Sequence, residues 1–380
     1  MERYDYILCG GGCAGLSMLF YLLDSKFKES KILIVDPSIQ DEVNKTWCYW
    51  DTKPLPIHPE ESIYSWDTFS LKSGQKKLRK SFKGLNYFHL NSSDFYESII
   101  AKAKNKSNNV EFLKDRVIEL KEEFDYVTIK TEISGNFYGN MVFDSMMNPV
   151  HTDSKNLKQL FVGWKIKTQL DTFEPKKMTL MDFRTESSIP FDFFYILPFS
   201  EKEALIEYTA YSQNSISYDR LELHLKKYLQ EKFAENPFEI TYVEKGTIPM
   251  STIQKSHSDS NKIIPIGTKA GWTKPSTGYT FHQIQTNCQL LVKRLEENKI
   301  DQLIIKRKTR FKFYDNILLN IAHKWPEKLK YVFLNMFSTS SPDLIFRFLS
   351  EETSFWEELK ILSRLKFMIF IKSLFSYESR

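Results

Sequence analysis

Apolar positions along this chain follow two different periods, and the switches between them predict its organisation. Near the N-terminus, Tyr6-Ile7-Leu8-Cys9 and Ile32-Leu33-Ile34-Val35 are unbroken apolar runs, and Leu16 to Leu23 between them is apolar-rich. Short continuous runs read as strands buried on both faces, as in a parallel sheet, so residues 1–40 predict strand, helix, strand. Residues 62–90 instead alternate short β-like runs, Trp66 to Leu71 and Leu85 to Leu90, with polar turns. Asp94 to Lys104 predicts a helix capped by Ser92 or Ser93. Val110 to Leu113, Tyr126 to Ile129 and Met141 to Ser145 predict further strands.

From 160 to 212 the pattern is mostly β, in the runs Leu160–Ile166, Met178–Phe183, Phe193–Leu197 and Ala204–Thr209. Asp219 to Phe233 is amphipathic with a helical period, and Ile263 to Gly267 returns to a buried strand. Residues 281–296 and most of 312–380 read as helix. The late return to a buried strand predicts an α/β fold whose nucleotide-binding domain is discontinuous, over 1–60, 94–160 and 258–300. A β-rich substrate domain, 61–93 and 161–257, is inserted into it, and 301–380 forms a helical C-terminal region.

The turn after the first strand is Gly10-Gly11-Gly12-Cys13-Ala14-Gly15, a G-x-G-x-x-G pattern opening a helix. In that setting Gly10 allows the tight turn, Gly12 admits a pyrophosphate, and Gly15 lets helix and strand pack closely. Free N–H groups at the helix start attract the phosphates. Asp36, ending the second strand, is placed to accept from a ribose hydroxyl. The motif by itself fits NAD as well as FAD.

Composition changes this picture little. The 380 residues carry a net charge of +5, spread along the chain, which gives no case for a nucleic-acid partner. Lysine clusters at 76–83 and 305–312 suit either solvated faces or an anionic membrane surface. Cys9, Cys13, Cys48 and Cys288 show no metal-ligand spacing, and a reducing cytoplasm is the natural reading. No run reaches the roughly 18 apolar residues of a spanning helix, and no secretory signal precedes the first strand. The stretch Leu365 to Phe375 is apolar with lysines inside it. It suits a helix lying in a membrane surface or one packed on the core. The 30 Phe, 19 Tyr and 7 Trp suit a large apolar substrate.

Further segments carry a resemblance. They are Thr46-Trp47-Cys48-Tyr49-Trp50, Val142-Phe143-Asp144-Ser145, Phe161-Val162-Gly163-Trp164 and Leu180-Met181-Asp182-Phe183-Arg184. Phe194 to Phe199, Leu205-Ile206-Glu207-Tyr208-Thr209, Gly246 to Met250, Pro275 to Phe281 and Arg347 to Thr353 continue the series. In this order they resemble the flavin-dependent lycopene β-cyclases of bacteria and plants. The resemblance implies a Rossmann-like FAD-binding domain related to flavin hydroxylases and geranylgeranyl reductases. It implies a redox-neutral closure of the linear ends of lycopene into β-ionone rings, with FAD reduced by NAD(P)H. The chain departs from the family pattern at three places. Gly267-Thr268-Lys269-Ala270-Gly271 stands for the usual Gly-Thr-Ala-Gly-Gly, Lys45 for a common arginine, and Met146 for a common basic residue.

The chemistry calls for an acid that protonates an alkene in a dry pocket and for stabilisation of the resulting cation. The resemblance puts the family's essential glutamate at Glu207, in the apolar strand Ala204 to Tyr208, where desolvation raises a carboxyl pKa. Strand alternation alone also permits Glu207 to face solvent. Asp182 and Glu351 are candidate supporting carboxyls. Asp182 is equally suited to pair with Arg184, and Glu351, like Glu352, to end a helix. Trp50, Phe183, Phe193 and Tyr195 are candidates for the substrate pocket, with core packing the alternative. The run Ser276, Thr277, Gly278, Tyr279, with Gly267 and Thr268, is expected to meet the flavin through backbone N–H groups and the positive end of the following helix. Competing functions on this pattern are a flavin monooxygenase, a prenyl reductase and a carotenoid carrier.

Overall fold

The computed structural model describes residues 2–38, 45–147, 156–185, 187–253 and 260–379. Along the chain, β1 (Tyr4–Cys9), α1 (Cys13–Leu23) and β2 (Ile32–Val35) come first, as the apolar runs require. β3 (Thr46–Asp51), β4 (Tyr64–Trp66), β5 (Thr68–Ser73), β6 (Lys76–Ser81) and β7 (Asn86–Asn91) lead into α2 (Ser92–Lys106). β8 (Val110–Leu113), β9 (Val117–Glu122), β10 (Val127–Thr131) and β11 (Asn136–Asp144) follow. Next come β12 (Leu157–Thr168), β13 (Lys177–Asp182), β14 (Asp192–Pro198) and β15 (Glu203–Ser212), then α3 (Tyr218–Lys232), β16 (Phe238–Met250) and β17 (Ile263–Pro265). Helices α4 (Phe281–Glu296), α5 (Thr309–Lys324), α6 (Leu329–Thr339), α7 (Pro342–Leu349), α8 (Phe355–Leu362) and α9 (Met368–Phe375) complete the order.

In the first sheet, helices cover the face of Tyr6, Leu8, Ile32 and Ile34, and β10 packs Val127 and Ile129 against the face of Ile7, Leu33 and Val35. β8, β2, β1, β11 and β17 lie side by side and parallel. The first half of β11 pairs antiparallel with β10, and β10 with β9. β1 and β2 are buried along almost their whole length, which is why they read as continuous apolar runs. α1 packs on α4 and α2 over this sheet. The second sheet, in the order β16-β12-β15-β14-β13-β5-β6, is antiparallel except where β13 meets β5. α3 covers one of its faces with Leu221, Leu225, Tyr228 and Leu229 against Val162, Phe194, Ile206 and Tyr208. A small third sheet, β3-β7-β4, lies beside α4.

Several expectations shift in detail. α2 is capped by Asn91, whose side chain accepts from the Ser93 N–H, one residue before the expected serines. Among the described residues β3 pairs with β7, so part of the segment expected to belong with the nucleotide-binding residues up to 60 sits in the small sheet. The boundary expected at 258 lies outside the described residues. β16 was not read as a strand: its apolar row Phe238, Ile240, Tyr242, Ile248 and Met250 is interrupted by Glu244 and Gly246, and Pro249 lies within it. It survives as a sheet edge, where proline and polar positions are tolerated. That omission matters for the site.

Candidate functional site

Two glycines of the first turn are required by geometry. Gly10 has a φ of +103°, and a Cβ there would collide with Ser145 Oγ at the end of β11. A Cβ at Gly15 would collide with the carbonyl oxygen of Gly10, so its absence is what lets α1 sit against the turn. Gly12 differs from both. It precedes α1 with no side-chain cap, and a Cβ there meets nothing within 4 Å. The space it leaves opens on a cavity. Asp36 holds this turn from the second strand: its Oδ2 accepts from the Gly11 N–H at 2.8 Å and its Oδ1 from the Ser38 N–H at 2.8 Å.

The opposite wall comes from the loops around β17 and α4. Gly267, at φ +63°, brings its backbone against Ala14 of α1, and Thr268 lines the cavity. Lys269, the departure from the family pattern, pairs with the buried carboxylate of Asp144, so its cation is neutralised inside the sheet end. Thr277, Gly278 and Tyr279 line the cavity, whereas Ser276 turns its hydroxyl away to Asp315 on α5. The expected flavin contact through the N–H groups of Thr277 and Gly278 needs correction. Both donate to the Lys274 carbonyl, at 3.3 and 2.8 Å. The open donors are those of the first turn of α4, which has no side-chain cap at Thr280.

The cavity measures about 710 Å³ and runs from Gly12, Cys13 and Ala14 to the uncovered face of the second sheet. Strand register orders that face in rows. One row reads Tyr195 on β14, Glu207 on β15, Gly163 on β12 and Glu244 on β16. The next reads Phe193, Thr209, Phe161 and Gly246. Alternation settles the question that the sequence left open: Ile206 and Tyr208 point under α3, and Glu207 faces the cavity. The surface it still exposes is cavity wall. Phe333, Met336 and Phe337 of α6, with Phe346 and Leu349 of α7, line the cavity from the helical side.

Electrostatics favour neutral carboxyls here. Burial pushes the Glu207 carboxyl well above the ordinary range, and the Thr209 hydroxyl, donating at 2.5 Å, partly opposes this. Glu244 is pushed up by burial and then by the charge of Glu207, against hydrogen bonds from Thr46 and Tyr242. Beside them, Tyr195 Oη lies 2.9 Å from Tyr87 Oη and 3.4 Å from Cys48 Sγ, and Tyr87 Oη lies 3.0 Å from Tyr279 Oη. Burial raises the Tyr87, Tyr195 and Tyr279 phenols, so this chain of hydroxyls stays neutral.

Two candidate carboxyls are elsewhere. Asp182 shares the α3 face with Phe194 and is fully buried; it accepts from Arg184 Nε at 2.8 Å and from Tyr228 Oη at 3.2 Å, with Lys72 Nζ at 3.8 Å. It is the buried partner of Arg184, off the cavity wall. Burial raises its pKa, but the hydrogen bonds and charges of Arg184 and Lys72 outweigh that and hold it low. Glu351 pairs with Arg307 and with Lys274 Nζ, 3.4 Å away, in a cluster that includes Asp315 and ties the 274–276 loop to α5. Glu352 faces His282 Nε2 at 3.6 Å. Phe193 and Tyr195 are on the wall. Trp50 and Phe183 stand behind it, Trp50 against Tyr87, Tyr279 and Phe346, and Phe183 against Phe191 and Phe193.

Three buried polar atoms on the wall have no partner: Gln159 Oε1, Thr277 Oγ1 and Glu244 Oε1. Such atoms are costly unless something polar meets them. With the open cradle at Gly12 they fit a bound dinucleotide cofactor that extends along the cavity. Neither Gln159 nor Glu244 was singled out from the sequence. The only signal for Glu244 is its place two residues before Gly246 on the alternation Glu244, Gly246, Ile248, Met250.

Comparison with known proteins gives the family and the fold. The family profile described as Lycopene cyclase protein matches residues 5–376. No curated protein sequence matches the chain. Among solved structures, a geranylgeranyl bacteriochlorophyll reductase-like protein from Thermoplasma acidophilum has 14% identity and a TM-score of 0.63, with 99% of each chain covered. A flavoprotein/dehydrogenase from Cytophaga hutchinsonii has 12% identity and a TM-score of 0.62, covering 99% of this chain and 100% of that one. The halogenase PltM, solved with phloroglucinol and FAD, has 12% identity and a TM-score of 0.54 over 92% of this chain and 82% of its own. At these identities the likeness is one of fold, a mixed α/β architecture with C-terminal helices.

Proposed function

The chain belongs to the lycopene cyclase protein family, and on that premise we propose that it closes the linear ends of lycopene into β-ionone rings without net redox change. The observation that carries the reading is Glu207. It is a carboxyl with a raised pKa on the wall of a largely apolar cavity that begins at the glycine turn.

FAD is the cofactor the cavity suits. Gly12 and the start of α1 would hold its pyrophosphate, and Asp36 stands beside the turn that the ribose approaches. Gln159 Oε1, Thr277 Oγ1 and the open first turn of α4 would meet its ring. Bound in its reduced form, with NAD(P)H as the source of electrons, FAD would supply negative charge to the site. The chain's own residues do the remainder. Glu207 holds the proton that goes to the terminal alkene. Phe193, Phe161 and the helices α6 and α7 exclude water from the cation and offer it aromatic faces. Tyr195, neutral and adjacent to Glu207 in the row, keeps the wall polar without adding charge.

The substrate dissolves in membranes, and the C-terminal helices suit contact with one. Trp356 on α8 and Met368 and Phe375 on α9 are 77%, 72% and 90% exposed. Lys360, Lys366 and Lys372 lie among them. None of the described helices is long and apolar enough to cross a membrane. This arrangement suits a surface-seated protein.

The test is expression in a bacterial host that accumulates lycopene, with pigment analysis. Product of the same mass as lycopene but with ring ends supports cyclisation. Product that has gained hydrogen or oxygen overturns it. Glu207→Gln is expected to keep flavin and fold while lowering cyclisation by more than about a hundredfold, because the amide keeps the shape and cannot deliver the proton.

A further inference from the structure

We propose that Glu207 and Glu244 act as a pair that holds one proton between them, with Glu244 as the second proton-handling group of the reaction. The inference rests on the cyclase reading for its chemistry and on the geometry for the pair.

The geometry begins with a missing side chain. β15 and β16 both pair with β12, and Glu207 and Glu244 are both register partners of Gly163. Two strand spacings, about 9.5 Å, separate their backbones. Any larger residue at 163 would stand between them. Gly163 leaves that space open, and Glu244 lies across it: the position of a Cβ on Gly163 is 3.0 Å from Glu244 Cγ and 3.1 Å from its Oε1. That oxygen is buried, has no hydrogen-bond partner and belongs to a cavity-lining residue. Glu244 itself is only 4% exposed. A carboxylate left in that state is far more costly than a carboxylic acid.

Among the described residues, no lysine or arginine is seen to act on either glutamate. Around the pair stand Tyr195 from β14, Tyr242 from β16, Cys48 from β3, Tyr87 from β7 and Tyr279 from the loop before α4, all without charge. Lys165 on β12 turns to Glu203, and Lys245 on β16 lies over the Tyr218 ring on the other face. Lys45, just before β3, also lines the cavity, and its charge is felt by Cys13 at the glycine turn. Hydroxyl and backbone donors, from Thr209 at Glu207 and from Thr46 and Tyr242 at Glu244, are what oppose burial. Without a positive charge beside them, two carboxyls in one such site do not both ionise at neutral pH.

The reaction gives the pair its use. Cyclisation takes one proton at the start and returns one at the end. The pair transfers its proton to the terminal double bond, forming a C–H bond and a tertiary cation. The neighbouring double bond then closes the ring with its π electrons. Loss of a ring proton to the pair forms the ring alkene and restores the one-proton state. The net charge of pair plus substrate is −1 throughout, so the cavity needs no exchange with water during a turnover.

The test uses the FAD-loaded protein and two readouts, the infrared carbonyl band of a protonated carboxyl followed against pH and the pH profile of cyclisation. In the native protein one such band is expected to persist above neutral pH, and the profile to have two limbs. Glu244→Gln removes the neighbouring charge. The remaining band is then expected to titrate at least about one unit lower, and the acid limb to vanish. Glu207→Gln is expected to lower the Glu244 band by the same amount, since coupling is reciprocal, and it gives the answer should Glu244→Gln not fold. A band that titrates at the same pH in the variant as in the native protein overturns the pair. Absence of cyclisation by the native protein, with mutual shifts intact, overturns the cyclase reading and leaves the pair standing.

Discussion

Gly12→Val separates the roles of the three glycines in the first turn. At Gly12 φ is −77°, within reach of any residue, and no atom lies within 4 Å of the new Cβ. The fold therefore loses only the difference between glycine and valine before a helix, about 1 kcal/mol. At Gly15 even alanine meets the Gly10 carbonyl, and such overpacking costs about 1–3 kcal/mol. Unfolding entropy near 2.1 cal/mol/K per residue gives about 0.8 kcal/mol/K for 380 residues if the chain melts as one unit. Gly12→Val is then expected to lower the melting temperature of the cofactor-free protein by about 1 °C, and Gly15→Ala by about 1–4 °C. The cofactor reverses the ranking. FAD at a hundred times its Kd stabilises the native protein by about 2.7 kcal/mol, or about 3 °C. A valine side chain in the cradle abolishes that gain. The assay is thermal melting of each protein with and without FAD, with flavin fluorescence as a direct readout of binding. A native-like FAD shift in Gly12→Val refutes the placement of the pyrophosphate.

Other outcomes follow from the same site. Thr209→Val removes the hydroxyl that stabilises ionised Glu207; a hydrogen bond to a charged group contributes about 1.5–3 kcal/mol, so the two limbs of the pH profile should together rise by about 1–2 units, and an unchanged or lowered profile contradicts the assignment. Asp182→Asn removes a buried carboxylate outside the cavity whose partner Arg184 is half-exposed, and should lower stability by about 1–3 kcal/mol in chemical denaturation, while the flavin-loaded protein that remains folded keeps its turnover. Because the Asp182 pKa is depressed, the stabilisation is full above the unfolded value near 3.9 and fades as pH falls through the folded one, so the native and variant stabilities should converge in acid. Replacing Trp356 and Phe375 with serine should weaken binding to anionic lipid vesicles in a co-sedimentation assay while pigment-free melting stays unchanged.

The local code determined a good part of this protein. Continuous apolar runs at Tyr6–Cys9 and Ile32–Val35 dictate strands buried on both faces, and the glycines between them dictate the turn, because only glycine adopts the φ of Gly10. The helix expected at 281–296 has those bounds in the structure. Glu207 stood out as a carboxyl in an apolar strand, but alternation cannot say which face of a strand is dry. That was decided when α3 covered Ile206 and Tyr208 and left the other face to the cavity. For the same reason Asp182, in an equally apolar setting, proved to lie under α3 with Arg184. Glu351 turned out to bind the loop before α4 to α5 through Lys274 and Arg307, a contact across long stretches of chain that no periodicity encodes. Glu244 did not stand out because it and Gly246 interrupt the apolar row Phe238, Ile240, Tyr242, Ile248 and Met250, which hid the strand itself. What makes it part of the site is the register of β16 on β12, which sets it across Gly163 from Glu207, and register is a property of the assembled sheet.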